Sequence, residues 1–336
     1  MRKKRKPLRQ LLYLATLLAV AVYASSCEKS TPNESRSYRL SRGGYSPDAG
    51  AVLLALHFHG GERAGTTVLV MYVEREQSMN VVYGPPQGKL FDFAWSPTRD
   101  TFAVTHGSGV ALFRKDGPEE NYQGTTVQCL IDVLYTHCAW SPSGEWLAVV
   151  CFDLEKASEN RLGLYKVKDE TFMITELSID PRPLIWEDDT TLHAVKNGNI
   201  LEVGMRAGNP RLIRSTPLDE GVSEFCGMFG NRPLVRKGRD VFLGDKVLIE
   251  LDSGEGRRVI ATKSLIFVSA SATDFTVFNH HGHEVGKASP GKVVYLGSIG
   301  EDSRTVYGLA GSMLLRVHLD NTTLKVEDVS DLDGFH

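Results

Sequence analysis

Phe93-Ala94-Trp95-Ser96-Pro97, followed by Thr101-Phe102-Ala103-Val104, comes back almost unchanged as Cys138-Ala139-Trp140-Ser141-Pro142, followed by Trp146-Leu147-Ala148-Val149. A third copy drops Ser-Pro and keeps the rest: Leu184-Ile185-Trp186-Glu187-Asp188-Asp189, then Thr191-Leu192-His193-Ala194-Val195. The three tryptophans are separated by 45 and 46 residues. Each copy reads as an apolar strand ending in Trp, a turn, and a second apolar strand. Ser-Pro-x-Gly, or a pair of aspartates, gives such a turn its restricted φ and its local side-chain hydrogen bonds.

Weaker copies extend the pattern in both directions. Upstream, Leu53-Leu54-Ala55-Leu56 and Val68-Leu69-Val70-Met71 make a unit. Downstream, units run from Phe229 through Val241-Phe242-Leu243, from Leu265-Ile266-Phe267-Val268 through Phe275-Thr276-Val277-Phe278, and from Val293-Val294-Tyr295-Leu296 through Val306-Tyr307. A hairpin signal recurs between these runs at Gly107-Ser108-Gly109, Asn197-Gly198-Asn199, Gly244-Asp245 and Ala310-Gly311-Ser312, small or left-handed-tolerant residues of the kind tight reversals require. No amphipathic helical stripe follows the repeats, which argues against βαβ units and helix bundles. A β-sandwich also consists of short strands, but it gives no reason for Trp-Ser-Pro to return at an interval of roughly 40–50 residues, the length of one propeller blade. The expected fold is all-β, a β-propeller. Seven units are read at about 52–86, 90–125, 135–180, 183–218, 225–262, 264–290 and 293–328, with six or eight blades as the alternatives.

FAWSPTRDTFAV (93–104) and CAWSPSGEWLAV (138–149) resemble the WD-repeat-related propeller motif of the bacterial TolB protein and of many periplasmic lipoproteins. The match covers about residues 90–165. The resemblance implies that these segments supply inner strands, and that Trp95, Trp140 and Trp186 pack between blades instead of touching a ligand. It implies nothing about activity, because one fold carries many functions.

The N-terminus has a different logic. MRKKRKPLR is a cationic run, and Leu11–Ala24 is a stretch of 14 uncharged residues, the pattern of a secretory signal. A spanning helix needs about 20 apolar residues, so this stretch is short for one. Ala24-Ser25-Ser26-Cys27 resembles the lipobox of bacterial lipoproteins, which implies acylation of the Cys27 thiol and release of residues 1–26. Several acyl chains hold a protein stably on a bilayer, where one alone is marginal. Glu28, where Asp would imply retention at the inner membrane, points to the outer membrane if the cell has one. Residues 27–49, rich in Ser, Pro, Gly and charge, are expected to be a flexible tether, and residues 50–330 the propeller. The expected location is a cell or outer membrane, lipid-anchored, on the periplasmic or extracellular face.

The chain has 336 residues, 42% hydrophobic and 24% charged, which excludes whole-chain disorder and a polytopic membrane protein. Its net charge of -3 averages two unlike regions. Residues 1–27 hold six of the basic residues and no acid, which leaves 32 basic against 41 acidic residues in the body. An acidic body repels phosphate backbones, so nucleic acid is not an expected partner. The bilayer, through acylated Cys27, and a basic or neutral envelope protein are.

Few residues point to chemistry. His280, His281 and His283 sit around Gly282 in a hairpin expected to be solvated and far from a central channel. They are weak metal candidates, because a site needs three or four converging ligands. His57 and His59 share one strand face. Asp188, Asp189 and Asp274 are the carboxylates that would serve a hydrolase or lyase acting on envelope glycans or peptides at a channel mouth. No GxSxG elbow, zincin helix, phosphate loop or cofactor motif is present, so no catalytic residue, resident metal or cofactor is assigned. Asp328, Asp331 and Asp333-Gly334 lack the closing Glu of a calcium loop and read as a solvated tail. Beyond Cys27 there are Cys129, Cys138, Cys151 and Cys226. Reflecting the chain about Ser141–Glu145 sets Cys138 near Ala148 and not opposite Cys151, leaving Cys129 with Cys138, or with Cys151, as the disulfide to consider. The function expected is a membrane-anchored propeller that binds or scaffolds a protein, with the hydrolase or lyase and a metal-binding envelope protein as alternatives.

Overall fold

The computed structural model describes residues 35–334 apart from 47–49, 60–63, 84–89, 99–100, 108, 116–121, 129–132, 155–158, 182–183, 207–208, 230, 253–255, 301 and 303. They form seven four-stranded antiparallel sheets, each built from four consecutive strands. Blade 1 is β1 (Arg36–Ser46), β2 (Ala51–Phe58), β3 (Thr67–Val73) and β4 (Ser78–Tyr83). Blade 2 is β5 (Leu90–Trp95), β6 (Thr101–His106), β7 (Gly109–Lys115) and β8 (Tyr122–Gln128). Blade 3 is β9 (Val133–Trp140), β10 (Trp146–Asp153), β11 (Asn160–Lys166) and β12 (Thr171–Ile179). Blade 4 is β13 (Ile185–Trp186), β14 (Thr191–Lys196), β15 (Asn199–Arg206) and β16 (Asn209–Pro217). Blade 5 is β17 (Val222–Phe229), β18 (Arg232–Lys237), β19 (Asp240–Leu243) and β20 (Lys246–Glu250). Blade 6 is β21 (Val259–Ala261), β22 (Leu265–Ser269), β23 (Phe275–Asn279) and β24 (Glu284–Ala288). Blade 7 is β25 (Tyr295–Ile299), β26 (Thr305–Ala310), β27 (Met313–Asp320) and β28 (Thr323–Asp331), followed by a single 3-10 turn, Leu332–Gly334.

The first strand of each blade faces the axis: β1 lies beside β5 and β25, β5 beside β9, and β21 beside β17 and β25. The chain is thus a seven-bladed propeller. No helix among the described residues is long and apolar enough to cross a membrane.

The second strand of each blade explains the apolar runs. Side chains alternate between the two faces of a strand, and in a propeller both faces are covered by neighbouring blades. In β2, Ala51, Leu53 and Ala55 join Phe93, Phe102 and Phe113 of blade 2, whereas Val52, Leu54 and Leu56 join Tyr307, Leu309 and Leu314 of blade 7. The remaining cores lie between blades 2 and 3, 3 and 4, 4 and 5, 5 and 6, and 6 and 7. Asn197 and Gly198, at φ 48° and 73°, form the two-residue reversal between β14 and β15.

Three boundaries differ from those read in the sequence. Residues 36–46, expected within the tether, are β1, the axial strand of blade 1. Residues 259–261, read as the end of the fifth unit, open the sixth blade as β21. The C-terminal residues are a docked element and not a solvated tail: Leu332 is fully buried among blade 1 side chains, and Asp328 forms an ion pair with Lys292. Cys27 and the secretory stretch lie outside the described residues.

The ring closes without a shared strand. Ser298 Oγ donates to Ser41 O at 2.6 Å, Tyr38 Oη donates to Leu332 O at 3.0 Å, Tyr45 stacks on Tyr307 with ring centroids 5.0 Å apart, and Arg316 pairs with Glu74 at 3.4 Å. A Cβ on Gly297 would fall 2.0 Å from Leu40 Cβ, so only glycine lets β25 approach β1. Truncating the buried Leu332 side chain should destabilise the fold by about 2–5 kcal/mol, measured by denaturant unfolding of Leu332→Ala. A loss below about 1 kcal/mol, within the range of an ordinary surface change, would mean that the terminal turn does not hold the ring shut.

Candidate functional site

The axial strands end at one face in a cavity of about 1370 Å3, lined by residues of all seven blades. The Trp-Ser-Pro segments form much of its wall, and their spacing has a direct physical cause. Trp140 Nε1 donates to Ala94 O at 2.9 Å, and Trp186 Nε1 donates to Ala139 O at 3.0 Å. Each indole therefore reaches the carbonyl just before the preceding blade's tryptophan. The turns interlock in the same way: Thr98 Oγ1 donates to Ser143 O at 2.7 Å, and the Ser143 amide donates to Asp189 Oδ1 at 2.6 Å. Ser141 Oγ, fully buried, closes its own turn by accepting the Trp146 amide at 3.1 Å. Gly144, at φ +69°, nests against blade 2; a Cβ there would lie 2.6 Å from Ser96 Oγ and 2.7 Å from Thr98 Oγ1. Pro97, Pro142, Trp186, Met228, Phe229 and Ile299 make an apolar rim.

The carboxylates at the mouth are engaged. Asp188 accepts the amide and the hydroxyl of Thr190 at 2.7 and 2.9 Å; partial burial raises its pKa, but the hydrogen bonds from Thr190 and Thr191 outweigh that and lower it. Asp189 caps Ser143. Glu187 sits 2.9 Å from His193 Nε2, while His193 Nδ1 is buried and has no hydrogen-bond partner among the described residues. Asp274 is not at the mouth: it binds Lys287 at 3.1 Å and accepts the Ser271 hydroxyl at 3.2 Å.

Charge of the opposite sign lies deeper. Arg42 spans the axis from blade 1, donating to Cys226 O at 2.9 Å and Ala261 O at 2.7 Å. Arg257 also lines the cavity. Asp92 ties three blades together by accepting Ser41 Oγ at 2.9 Å and the Cys138 amide at 3.3 Å. Burial, aided by the nearby Arg257 and Arg39 charges, lowers the pKa of His137 despite the opposing pull of Asp92. The sequence reading missed these residues. Arg42 fell in the supposed tether, and its signal was the Arg42-Gly43-Gly44 run, where small residues admit neighbouring strands: a Cβ on Gly43 would sit 2.9 Å from Ala94 Cβ.

Of the histidines, His280 borders the cavity, a correction to the expectation that this hairpin lies far from the channel. The hairpin is tied to blade 5 by Arg232, which donates to His280 O at 2.6 Å. The His280 and His281 ring centroids are 3.9 Å apart and those of His281 and His283 6.2 Å, and no cluster able to hold a metal occurs among the described residues. Cys129 lies outside the described residues. Cys138, Cys151 and Cys226 are buried free thiols, and Cys151 stands opposite Tyr135 in the β9–β10 ladder, whereas Cys138 stands opposite Val149.

No protein-family model matches the sequence, and no curated protein matches it. Solved structures share its shape. An oligogalacturonate lyase from Vibrio parahaemolyticus is 10% identical over 91% of this chain and 93% of its own, with a TM-score of 0.55. The C-terminal WD40 domain of Sif2 is 12% identical over 87% and 86%, also at 0.55, and a chain of a mitotic checkpoint complex is 15% identical over 72% and 77%, at 0.51. At these identities the likeness is one of fold.

Two outcomes check the geometry. Gly144→Ala should destabilise the protein by about 1–3 kcal/mol more than Gly198→Ala, since both pay for a left-handed backbone of similar φ but only the first also meets neighbouring atoms; equal losses in thermal unfolding would mean the turns do not interlock. Burial raises the pKa of Cys138, of Cys151 to about 12, and of Cys226. Peptide mapping after iodoacetamide at pH 8 should therefore find all three unlabelled in the native protein and labelled in denaturant.

Proposed function

We propose that this chain is a lipid-anchored envelope protein whose propeller binds a protein partner across the channel mouth. The observation that carries the reading is the rim itself. Pro97, Pro142, Trp186, Met228, Phe229 and Ile299 surround an open cavity, and Glu187, Asp188, Asp189 and Asp302 stand beside them. An apolar patch edged with acid suits a neutral or basic segment that inserts an aliphatic or aromatic side chain. Anchoring rests on the cationic N-terminus, the uncharged run and Ala24-Ser25-Ser26-Cys27.

The alternative is a lyase or hydrolase, favoured by the likeness to an oligogalacturonate lyase. What weighs against it is the commitment of Asp188, Asp189 and Glu187 to turn and blade contacts. A metal-binding role would rest on His280, His281 and His283.

Native protein, Cys27→Ala and Phe229→Ser should be recovered from detergent-solubilised envelope with intact masses recorded. The native chain is expected to carry the mass of acyl chains, the Cys27→Ala chain to lack it, and Phe229→Ser to lose at least tenfold of a stoichiometric protein partner that the native chain retains. An unmodified Cys27 removes the anchor. A partner held equally by Phe229→Ser removes the mouth as the binding surface.

A further inference from the structure

Below the rim a guanidinium nitrogen lacks an acceptor among the described residues. Both guanidinium contacts of Arg42 are to neutral carbonyls, Cys226 O and Ala261 O, which solvate its charge without cancelling it. Arg257 stands near enough that its charge, after burial itself, helps bring the pKa of Arg42 down to about 10. Arg257 Nη1 is buried and has no hydrogen-bond partner among the described residues. Glu224 acts on Arg42 and Arg257 through its charge but does not hydrogen-bond Arg257 Nη1. Glu224 lies 3.4 Å from Arg236 Nη2 and is pushed up in pKa by burial, and Asp92 is occupied by Ser41 Oγ and the Cys138 amide. A buried guanidinium nitrogen without a hydrogen-bond acceptor is costly, and here the residue that carries it borders a cavity open to solvent.

We propose that Arg42 and Arg257 form a binding site for a small carboxylic acid at the base of the mouth cavity. Arg257 supplies the free donor and Arg42 a fixed positive wall. A guanidinium matches the planar, two-oxygen geometry of a carboxylate. A carboxylate brings one negative charge to the two guanidinium groups, whereas a phosphate dianion would bring a second beside Asp92 and Glu224. Met228 and Phe229, which line the same cavity, offer apolar surface for a short hydrocarbon body. The site shares Met228 and Phe229 with the mouth surface proposed above but does not require a protein partner to be bound there.

The test uses the whole mature protein at constant ionic strength, with butyrate as probe, butyramide as its uncharged match and inorganic phosphate as the competing oxyanion. Calorimetric titration should show saturable butyrate binding, none for butyramide, and a weaker response to phosphate. Arg257→Gln should weaken butyrate at least tenfold, with its circular dichroism unchanged. Arg257→Lys, which keeps the charge and loses the planar fork, should weaken it at least threefold, and decides the matter if the Gln variant does not fold. Absence of saturable butyrate binding, equal binding of butyramide, tighter binding of phosphate, or unchanged affinity in the folded Arg257 variants overturns the site.

Discussion

Seven axial strands must converge on one line while every blade stays wedged against its neighbour, and between blades 2 and 3 and between blades 3 and 4 the contact that meets both demands is a hydrogen bond from one blade's indole to the previous blade's backbone. Trp140 to Ala94 and Trp186 to Ala139 repeat at the spacing of the blades because the bond couples equivalent positions of adjacent units. Each such bond contributes on the order of 1 kcal/mol net. Its larger effect is to fix the angle at which one sheet meets the next. The turn contacts from Thr98 through Ser143 to Asp189 repeat that coupling at the rim. The shape of the mouth is therefore set by the same residues that set the blade spacing.

Closure follows a different rule. With four consecutive strands in every blade, no sheet borrows a strand from the other end of the chain, and the join between blades 7 and 1 depends on packing and a few polar contacts. Tyr307, Leu309 and Leu314 face Leu54 and Leu56 there, with Leu332 seated at the edge. β1 and the terminal 3-10 turn meet at this seam through Tyr38 and Leu332.

The outer parts of the blades were legible because both faces of the second strand are buried, which writes runs such as AVLLAL and LIFV into the sequence. The axial strands were not. β1 carries Arg39, Arg42, Gly43 and Gly44 because it faces a polar channel and touches neighbouring backbones, so its composition matches that of a linker. β21 spans three residues between Arg258 and Thr262, too few for a period to show. Arg258 is fully buried, donating to Ser269 O and Ala270 O and pairing with Asp252, while the adjacent Arg257 lines the cavity. A strand's alternation sends two identical residues to opposite environments, and the sequence does not mark which goes where. Asp188 and Asp189 were recognised at the mouth, but their engagement depends on Thr190 and on Ser143, the latter 46 residues away.

The position of β1 bears on how the protein carries load. The strand enters the ring at Arg36, runs along the axis and ends at the mouth side near Ser46, hydrogen-bonded to β2 along most of its length. A pull on the chain ahead of Arg36 acts along the strand, so it strains the β1–β2 ladder in shear and loads its bonds together instead of peeling them one at a time. The axial packing against β5 and β25 resists the same sliding. A propeller that began with an outer strand would unzip from its rim under the same force; this one is gripped at its centre.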